Sequence, residues 1–267
     1  MIRTTVRHNS GPAAEKMPGH WLLARMGKRV LRPGGLKLTH WLLDALAISP
    51  EDDVVEFAPG LGITAQLTLA RKPHSYTAIE RNGDAAKTVE SYLSGYNQRC
   101  FIGTAEATGQ PDACATVVYG EAMLSMQPAT SKSRIVGEAA RLLRPGGRYG
   151  IHELCQVPDD VSDSIRDAIQ HDLSDDIHVG VRPLTIREWR EILAAAGFSI
   201  VDEHAAKMHL LEPARLVNDE GLLRTLRFVL NVAMHAAARR RVLSMRRVFR
   251  KYGKNLAAIA IVAQKTN

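Results

Sequence analysis

A carboxylate and a pair of glycines stand close together in the stretch VVEFAPGLG, residues 54–62. Glu56 lies two residues before Ala58 and four residues before Gly60, and Gly62 follows. Glycines let the backbone approach a ligand closely and leave N–H groups free to donate. A carboxylate just before such a turn suits a cationic group, such as an ammonium, and repels a pyrophosphate. The run GLGITA also matches the dinucleotide fingerprint, so a nicotinamide or flavin cofactor and a different nucleoside cofactor both fit this stretch.

A second carboxylate, Glu80, ends the run SYTAIE eighteen residues after Gly62. A carboxylate at that place can accept two hydrogen bonds from a ribose diol in either kind of cofactor. Glu80 therefore indicates an adenosine-like ligand without deciding between the two.

Side chains that can take a proton follow two later apolar runs. Tyr119 and Glu121 end the fourth predicted strand, and His152 ends the fifth. Because the unperturbed pKa of histidine lies near neutrality, His152 is the best candidate for a base. The alternative is a packed strand histidine that is bonded to the backbone. With no H-x-x-x-H pair and scattered acidic groups, we expect no metal site.

A sheet is needed to bring these side chains together. The apolar runs predict strands at 53–57, 75–80, 99–102, 115–119, 147–153, 198–205 and 255–264. Helical spacing predicts helices within 17–48 and near 62–71, 83–94, 130–143 and 185–196. Strands and helices in alternation predict an α/β doubly wound sheet, which binds ligands at the carboxyl ends of its strands.

Charge is distributed unevenly along the 267 residues. Residues 1–48 carry 8 Lys or Arg against 2 Asp or Glu, and residues 205–267 carry 13 against 3, whereas the middle carries 14 against 23. We expect a basic helical extension at 1–48 and one large domain at 49–267. Two long intervals, at about 154–184 and 206–254, leave from the ends of strands five and six. They should form helical lid insertions over the binding crevice.

The second insertion contains an apolar stripe and a basic helix. Ordinary core packing explains the stripe, which consists of Leu222, Leu223, Leu226, Val229, Leu230 and Ala233. The basic helix ARRRVLSMRRVFRKYGK is interpreted first as a structural lid. It also suits capture of an anionic or lipophilic substrate, contact with a partner, an anionic membrane surface or, less well, nucleic acid.

At five places the chain resembles the class I S-adenosylmethionine-dependent methyltransferases: VVEFAPGLG, TAIERN, FIGTAEAT, DACATVVYGEAMLSM and EAARLLRPGGRYGIHEL. The resemblance implies a Rossmann-like seven-strand sheet with an antiparallel last strand, and S-adenosyl-L-methionine as cofactor. It further implies that Glu56, Ala58, Gly60 and Gly62 hold the methionine end of the cofactor and that Glu80 and Arg81 contact the ribose. Flanking the adenine would be Thr104, Ala105 and Glu106. Below the adenine would lie Gly120, Glu121 and Ala122.

The expected reaction is methyl transfer to a small organic acceptor, mainly by proximity and orientation. A dehydrogenase is disfavoured because nothing after residue 150 resembles a second catalytic domain with a hydride-transfer His or a Tyr-x-x-x-Lys motif. Nucleic acid is an unlikely acceptor because YGEA stands where amino-methylating enzymes of this fold carry N/D-P-P-Y/F, and only 5% of the residues are aromatic. The alternatives are a catalytically silent module that binds an anionic partner, or an RNA methyltransferase.

Three cysteines without a C-x-x-C pair and an N-terminus without an apolar core predict a cytoplasmic protein. The apolar stretch 228–238 is too short and too polar to span a bilayer.

Overall fold

The computed structural model describes residues 15–266. Within that range the helices are α1 (Gly19–Arg25), α2 (Gly35–Ala45), α3 (Ile63–Leu69), α4 (Gly83–Glu90), α5 (Ala129–Leu142), α6 (Asp163–Ile177), α7 (Ile186–Ala195), α8 (Pro213–Glu220), α9 (Leu222–Met234) and α10 (Ala236–Lys251), with a 3-10 turn at Leu124–Met126. The strands are β1 (Asp53–Phe57), β2 (Ser75–Glu80), β3 (Gln98–Ile102), β4 (Ala115–Glu121), β5 (Leu143–Gln156), β6 (Leu184–Thr185), β7 (Phe198–Lys207) and β8 (Leu256–Lys265).

The strands form one sheet in the order β3-β2-β1-β4-β5-β8-β7. The first five run parallel, and β8 lies antiparallel between β5 and β7. The Rossmann-like fold with an antiparallel last strand is therefore confirmed, and the two-residue β6 adds an eighth strand beside β5. β5 begins earlier than predicted because Leu143 pairs with Ala115 ahead of a register shift in β4.

Helix α2 packs against one face of the sheet. Leu38, Leu42, Leu43 and Leu46 are buried in one cluster with side chains of β1, β4 and β8. Residues 35–46 thus share the core of the sheet, and residues 1–14 of the predicted extension lie outside the described residues.

A second apolar core lies above the carboxyl ends of the strands. It joins α6 from one predicted insertion to α8, α9 and α10 from the other, and we call these four helices the roof. The two insertions are also linked by charge, since Lys251 of α10 pairs with Asp172 of α6 at 2.7 Å. Leu22, Leu23 and Met26, on or beside α1, pack into the same core.

The core packing predicted for the stripe on α9 is wrong. Leu222, Leu223, Leu226, Val229 and Leu230 are all exposed. The side of α9 that packs into the roof core instead presents its buried residues Thr225, Phe228 and Val232. Helical spacing identified an apolar face, but it does not say whether a neighbouring element covers that face.

Candidate functional site

A cavity of about 560 Å³ lies between the sheet and the roof. Ten of the predicted cofactor residues line it: Glu56, Ala58, Gly60, Glu80, Arg81, Thr104, Ala105, Glu106, Glu121 and Ala122. They end or follow β1, β2, β3 and β4, because parallel strands bring their carboxyl ends to one edge. Four other predicted site residues do not line the cavity: Gly62, Gly120, Tyr119 and His152.

The turn between β1 and α3 is built from left-handed backbone. Ala58, Gly60 and Gly62 have φ of 52°, 56° and 70°. A Cβ on Gly60 would have no neighbour closer than 4.0 Å, so Gly60 presents bare backbone to the cavity. A Cβ on Gly62 would lie 2.7 Å from the ring of Tyr92, so Gly62 is needed for packing. Gly120 is less tightly packed, because its Cβ would lie 3.3 Å from Phe57 and a shift of a few tenths of an ångström would accommodate it.

Glu80 is fixed by two backbone donors. Its Oε2 accepts from the Gly60 N–H at 3.0 Å, and its Oε1 accepts from the Asn82 N–H at 2.9 Å. A carboxylate oxygen accepts about two hydrogen bonds, so each oxygen keeps acceptor capacity toward the cavity. This spare capacity fits a ribose diol.

The edge beyond β3 is more open. Ala105 is buried, Thr104 is exposed, and Glu106 accepts from Arg134 Nε at 2.6 Å. Arg81 is exposed at the same side of the cavity.

Glu121 is the centre of a buried polar network. Its Oε1 accepts from Thr39 Oγ1 at 2.8 Å and lies 2.6 Å from His152 Nδ1, while Oε2 accepts from Arg32 and Thr64. Burial raises the pKa of Glu121, but the charge of Arg32 and the hydrogen bond with His152 outweigh burial and leave that pKa far below its usual value. Glu121 is therefore a fixed anion.

Glu56 stands in a different environment, although it faces the same cavity. It is buried, and its Oε2 accepts from the hydroxyls of Tyr76 and Tyr119, the latter at 2.6 Å. Burial raises the pKa of Glu56 to about 7, against the opposing effect of both tyrosines. Tyr119 also lies 2.7 Å from Thr68 Oγ1, so its hydroxyl is fully engaged.

His152 has no exposed surface. Its Nδ1 faces Glu121, and its Nε2 faces the carbonyl oxygen of Pro33. Both partners are acceptors, so neither ring nitrogen is free to take a proton from a substrate.

A loop after β4 is held by Glu153. Its carboxylate accepts from the backbone N–H groups of Met123, Leu124 and Ser125 at 2.8–3.0 Å and from Ser125 Oγ at 2.6 Å. Met123 and Ser125 line the cavity, so this buried carboxyl group shapes its floor. Burial raises the pKa of Glu153, against the opposing effect of these hydrogen bonds.

The roof side of the cavity is largely apolar. Its lining includes Leu23, Leu154, Ile177, Val181, Met208, Leu210, Met245 and Phe249. His20 also lines the cavity, and its Nδ1 is buried without a partner among the described residues. Burial, assisted by Arg81, lowers the pKa of His20 to about 4, so the ring is neutral and can accept a hydrogen bond.

Sequence reasoning missed Arg32, Thr39, Thr64 and His20. Arg32 stands in LRPGG at 31–35, a stretch that looks like a helix stop. Gly34 and Gly35 have φ of 75° and 66°, and this turn brings Arg32 to the cavity. In the sequence, Arg32 is recognisable only as an arginine among turn residues, and no fixed spacing relates it to Glu121.

Two features have no counterpart in the described part of the chain: a cluster of metal ligands and a membrane-spanning helix. Among residues 15–266 no group of three or more His, Cys, Asp or Glu is arranged to hold a metal ion. Across the same residues, every helix is too short or too polar to cross a bilayer.

Known proteins resemble this chain in sequence and in fold. A family model described as a methyltransferase domain matches residues 55–151. An uncharacterised protein of Haemophilus influenzae is 32% identical over 252 residues, which cover 92% of this chain and 98% of that protein.

Solved structures share the fold at low identity. Phosphoethanolamine N-methyltransferase 2 of Haemonchus contortus, in complex with S-adenosyl-L-methionine, has a TM-score of 0.70 and 13% identity over 93% of this chain and 57% of that chain. Geranyl diphosphate C-methyltransferase of Streptomyces coelicolor, in complex with Mg²⁺, geranyl diphosphate and S-adenosyl-L-homocysteine, has a TM-score of 0.62 and 15% identity over 86% and 77%.

Proposed function

The chain belongs to the class I S-adenosylmethionine-dependent methyltransferase family, and we propose that it methylates a small, largely apolar organic acceptor held under the roof. The enzyme uses S-adenosyl-L-methionine. The methyl group that this cofactor supplies is bonded to a positively charged sulfur, and the neutral thioether left after transfer is a good leaving group. The observation that carries the choice of acceptor is the apolar lining on the roof side of the cavity, with Met245 and Phe249 from α10 and Met208 and Leu210 from the segment between β7 and α8. Apolar walls with a few placed polar groups are typical of small-molecule sites.

The residues of the sheet edge suit the cofactor. Glu80 would hold the ribose hydroxyls, with Arg81 beside it, and the bare backbone of Gly60 would let the ligand come close. Glu56 and Glu121 would favour the cationic methionine end, with Arg32 available for its carboxylate. Thr104, Ala105 and Glu106 would border the adenine, and Ala122 would lie below it.

Catalysis would come mainly from holding the acceptor in line with the methyl group. His152 and Tyr119 are proposed as positioning residues, because each is engaged with a cavity carboxylate and neither faces the cavity. Glu121 is held as an anion by Arg32 and is proposed to orient the cofactor. His20 Nδ1 would accept a hydrogen bond from a hydroxyl or amine of the acceptor.

A matched pair of glycine variants tests the cofactor site. Gly60 and Gly109 both have positive φ and room for a Cβ, but only Gly60 lines the cavity. Both Gly→Ala changes should cost about 1 kcal/mol of stability, while only Gly60→Ala should weaken S-adenosylhomocysteine binding by calorimetry. Glu80→Ala should weaken it further. Failure of the wild-type protein to bind at sub-millimolar concentration would overturn the proposal.

The acceptor is tested by S-adenosylhomocysteine release with apolar alcohols, phenols and amines. Turnover that His20→Phe reduces, with unchanged cofactor affinity, supports the proposed acceptor site. Cofactor binding without turnover on any acceptor, together with salt-dependent binding to an anionic partner, would instead support the silent module. Turnover only on RNA would support an RNA methyltransferase.

Two further expectations belong to this proposal. A cytoplasmic location is supported by Cys100, Cys114 and Cys155, which are all free thiols. The domain division is proposed as a helical segment before residue 49 and a methyltransferase domain after it, with insertions at about 154–184 and 206–254 that supply the roof.

A further inference from the structure

Helix α9 has a broad apolar face that no described element covers. Its large apolar side chains on that face are exposed by 50% to 82%: Leu222, Leu223, Leu226, Val229, Leu230 and Met234. At about 100° per residue these side chains share roughly half of the helix circumference. They lie opposite Thr225, Phe228 and Val232, which pack into the roof core. Scattered apolar side chains on a surface are ordinary, but a contiguous set marks an interaction surface.

The charge beside this face has one sign. Residues 222–251 contain nine Lys or Arg and no Asp or Glu. Several of these cations hold the roof together, as Arg246 and Arg250 do through Glu212. At 100° per residue Arg227 lies about 20° from Met234 at one edge of the apolar face, and Arg224 lies about 60° further round the helix. Both are exposed, and neither makes an ion pair with residues 15–266.

We propose that α9 rests on the surface of an anionic phospholipid bilayer. Its leucines, Val229 and Met234 would enter the region between headgroups and acyl chains, and Arg224 and Arg227 would contact the phosphates. An amphipathic helix binds in this way through buried apolar area together with attraction to anionic lipid. Each cation near such a surface contributes about 1 kcal/mol. We favour a bilayer over a protein partner for two reasons. Helix α9 exposes large apolar side chains beside two cations that form no ion pair with residues 15–266, and it contains no Asp or Glu.

The surface is close to the proposed acceptor site. Phe228 and Val232 of α9 pack in the same core as Met245 and Phe249, which line the cavity. A lipophilic acceptor dissolved in the bilayer would then be next to the roof. That last step rests on the proposed function, whereas docking of α9 does not.

Vesicle sedimentation tests the docking. Full-length protein should bind vesicles of phosphatidylcholine and phosphatidylglycerol in equal parts, and bind pure phosphatidylcholine about tenfold more weakly or less. Leu223→Glu/Leu230→Glu should lower binding to the anionic vesicles by about tenfold or more, because two inserted leucines are lost. Arg224→Gln/Arg227→Gln should weaken binding and reduce its salt dependence.

Matched controls separate docking from folding. Val201→Glu changes a valine of β7 that is 60% exposed, away from α9, and should leave vesicle binding unchanged. Thermal unfolding and S-adenosylhomocysteine affinity should be the same in all variants, so a failed proposed function would not be mistaken for failed docking. No binding of wild-type protein to anionic vesicles would overturn the proposal, as would equal binding by Leu223→Glu/Leu230→Glu. A dimer lost in that variant, without vesicle binding, would assign the face to a second copy.

Discussion

The guanidinium of Arg32 donates to the carboxylate of Glu121, 89 residues further along the chain. Both side chains are at least 90% buried, and the same arginine also donates to Thr64 and, at 3.3 Å, to Thr39. This contact sets the charge at the end of β4, because it keeps Glu121 ionised next to the cavity. The loop before α2 is therefore part of the proposed cofactor site.

Removing Arg32 should expose the cost of a buried, unpaired carboxylate. We expect Arg32→Met to lower the free energy of unfolding by about 3–5 kcal/mol, measured by urea denaturation. Adding Glu121→Gln should restore part of that loss, since the second change removes the unpaired charge. A double variant no more stable than Arg32→Met would contradict this coupling.

Glu56 should make cofactor binding depend on pH. Its pKa of about 7 means that it is half protonated at neutrality, and a cationic ligand favours the ionised form. If only that form binds well, S-adenosylhomocysteine affinity should be about tenfold lower at pH 6 than at pH 8. Calorimetry in buffers of different ionisation enthalpy should also detect proton release on binding near pH 7.

Two variants check the assignment to Glu56. Glu56→Gln should remove the pH dependence. Tyr119→Phe should raise the pH midpoint of this dependence, because the hydrogen bond that the Tyr119 hydroxyl donates stabilises the ionised form of Glu56.

The stability of the free protein should show the opposite trend with pH. In the unfolded chain this carboxyl has its ordinary pKa of 4.5, whereas in the folded protein its pKa is about 7. The unfolded state therefore binds fewer protons between these values, and this contribution to stability falls as pH rises.

Glu153→Gln should loosen the floor of the cavity. The amide would direct an N–H at one of the donors that the carboxylate now satisfies, at a cost of about 3 kcal/mol. We expect lower stability together with a raised KM for the acceptor. Glu138→Gln is the control: Glu138 also accepts a backbone N–H, from Thr108 at 2.8 Å, but does not line the cavity. It should lower stability and leave KM unchanged.

Gly35→Ala should disturb the loop that carries Arg32. A Cβ there would collide with the carboxylate of Asp219, which accepts from the Leu36 N–H at 3.1 Å. We expect a loss of about 2–3 kcal/mol from left-handed strain and a broken cap, with weaker S-adenosylhomocysteine binding. Gly221→Ala meets open space, and the backbone there (φ 78°, ψ 162°) is a conformation that glycine adopts almost alone, so it should cost about 1–3 kcal/mol of strain without disturbing cofactor affinity. Equal effects on cofactor affinity would count against the role of this loop.

The sheet, and the residues that line the cavity at its edge, could be predicted because their determinants are local. β1 and β2 were predicted at their observed bounds, since apolar runs and glycine turns are properties of adjacent residues. The two carboxylates Glu56 and Glu80 follow from the same reasoning, because parallel strands must present their carboxyl ends together.

The charge network and the roof surface depend on contacts between distant segments. Nothing near Arg32 in the sequence points to Glu121, and the periodicity of α9 is the same whether its apolar face is covered or exposed. His152 illustrates the limit in another way. Its place near the end of the predicted strand 147–153 suited a base, whereas the Pro33 carbonyl oxygen that contacts its Nε2 comes from a loop 119 residues earlier.

The loop at 29–36 is held in place by the end of α8. Glu220 Oε1 accepts from the N–H groups of Arg29 and Val30 at 2.7 and 2.8 Å, and Asp219 accepts from Leu36. These contacts join residues more than 180 positions apart. During synthesis, Arg32 leaves the ribosome early but gains this support only after residue 220 has emerged. The proposed cofactor site should therefore be among the last parts of the protein to become ordered, and a nascent chain that stops before α8 should not retain S-adenosylhomocysteine.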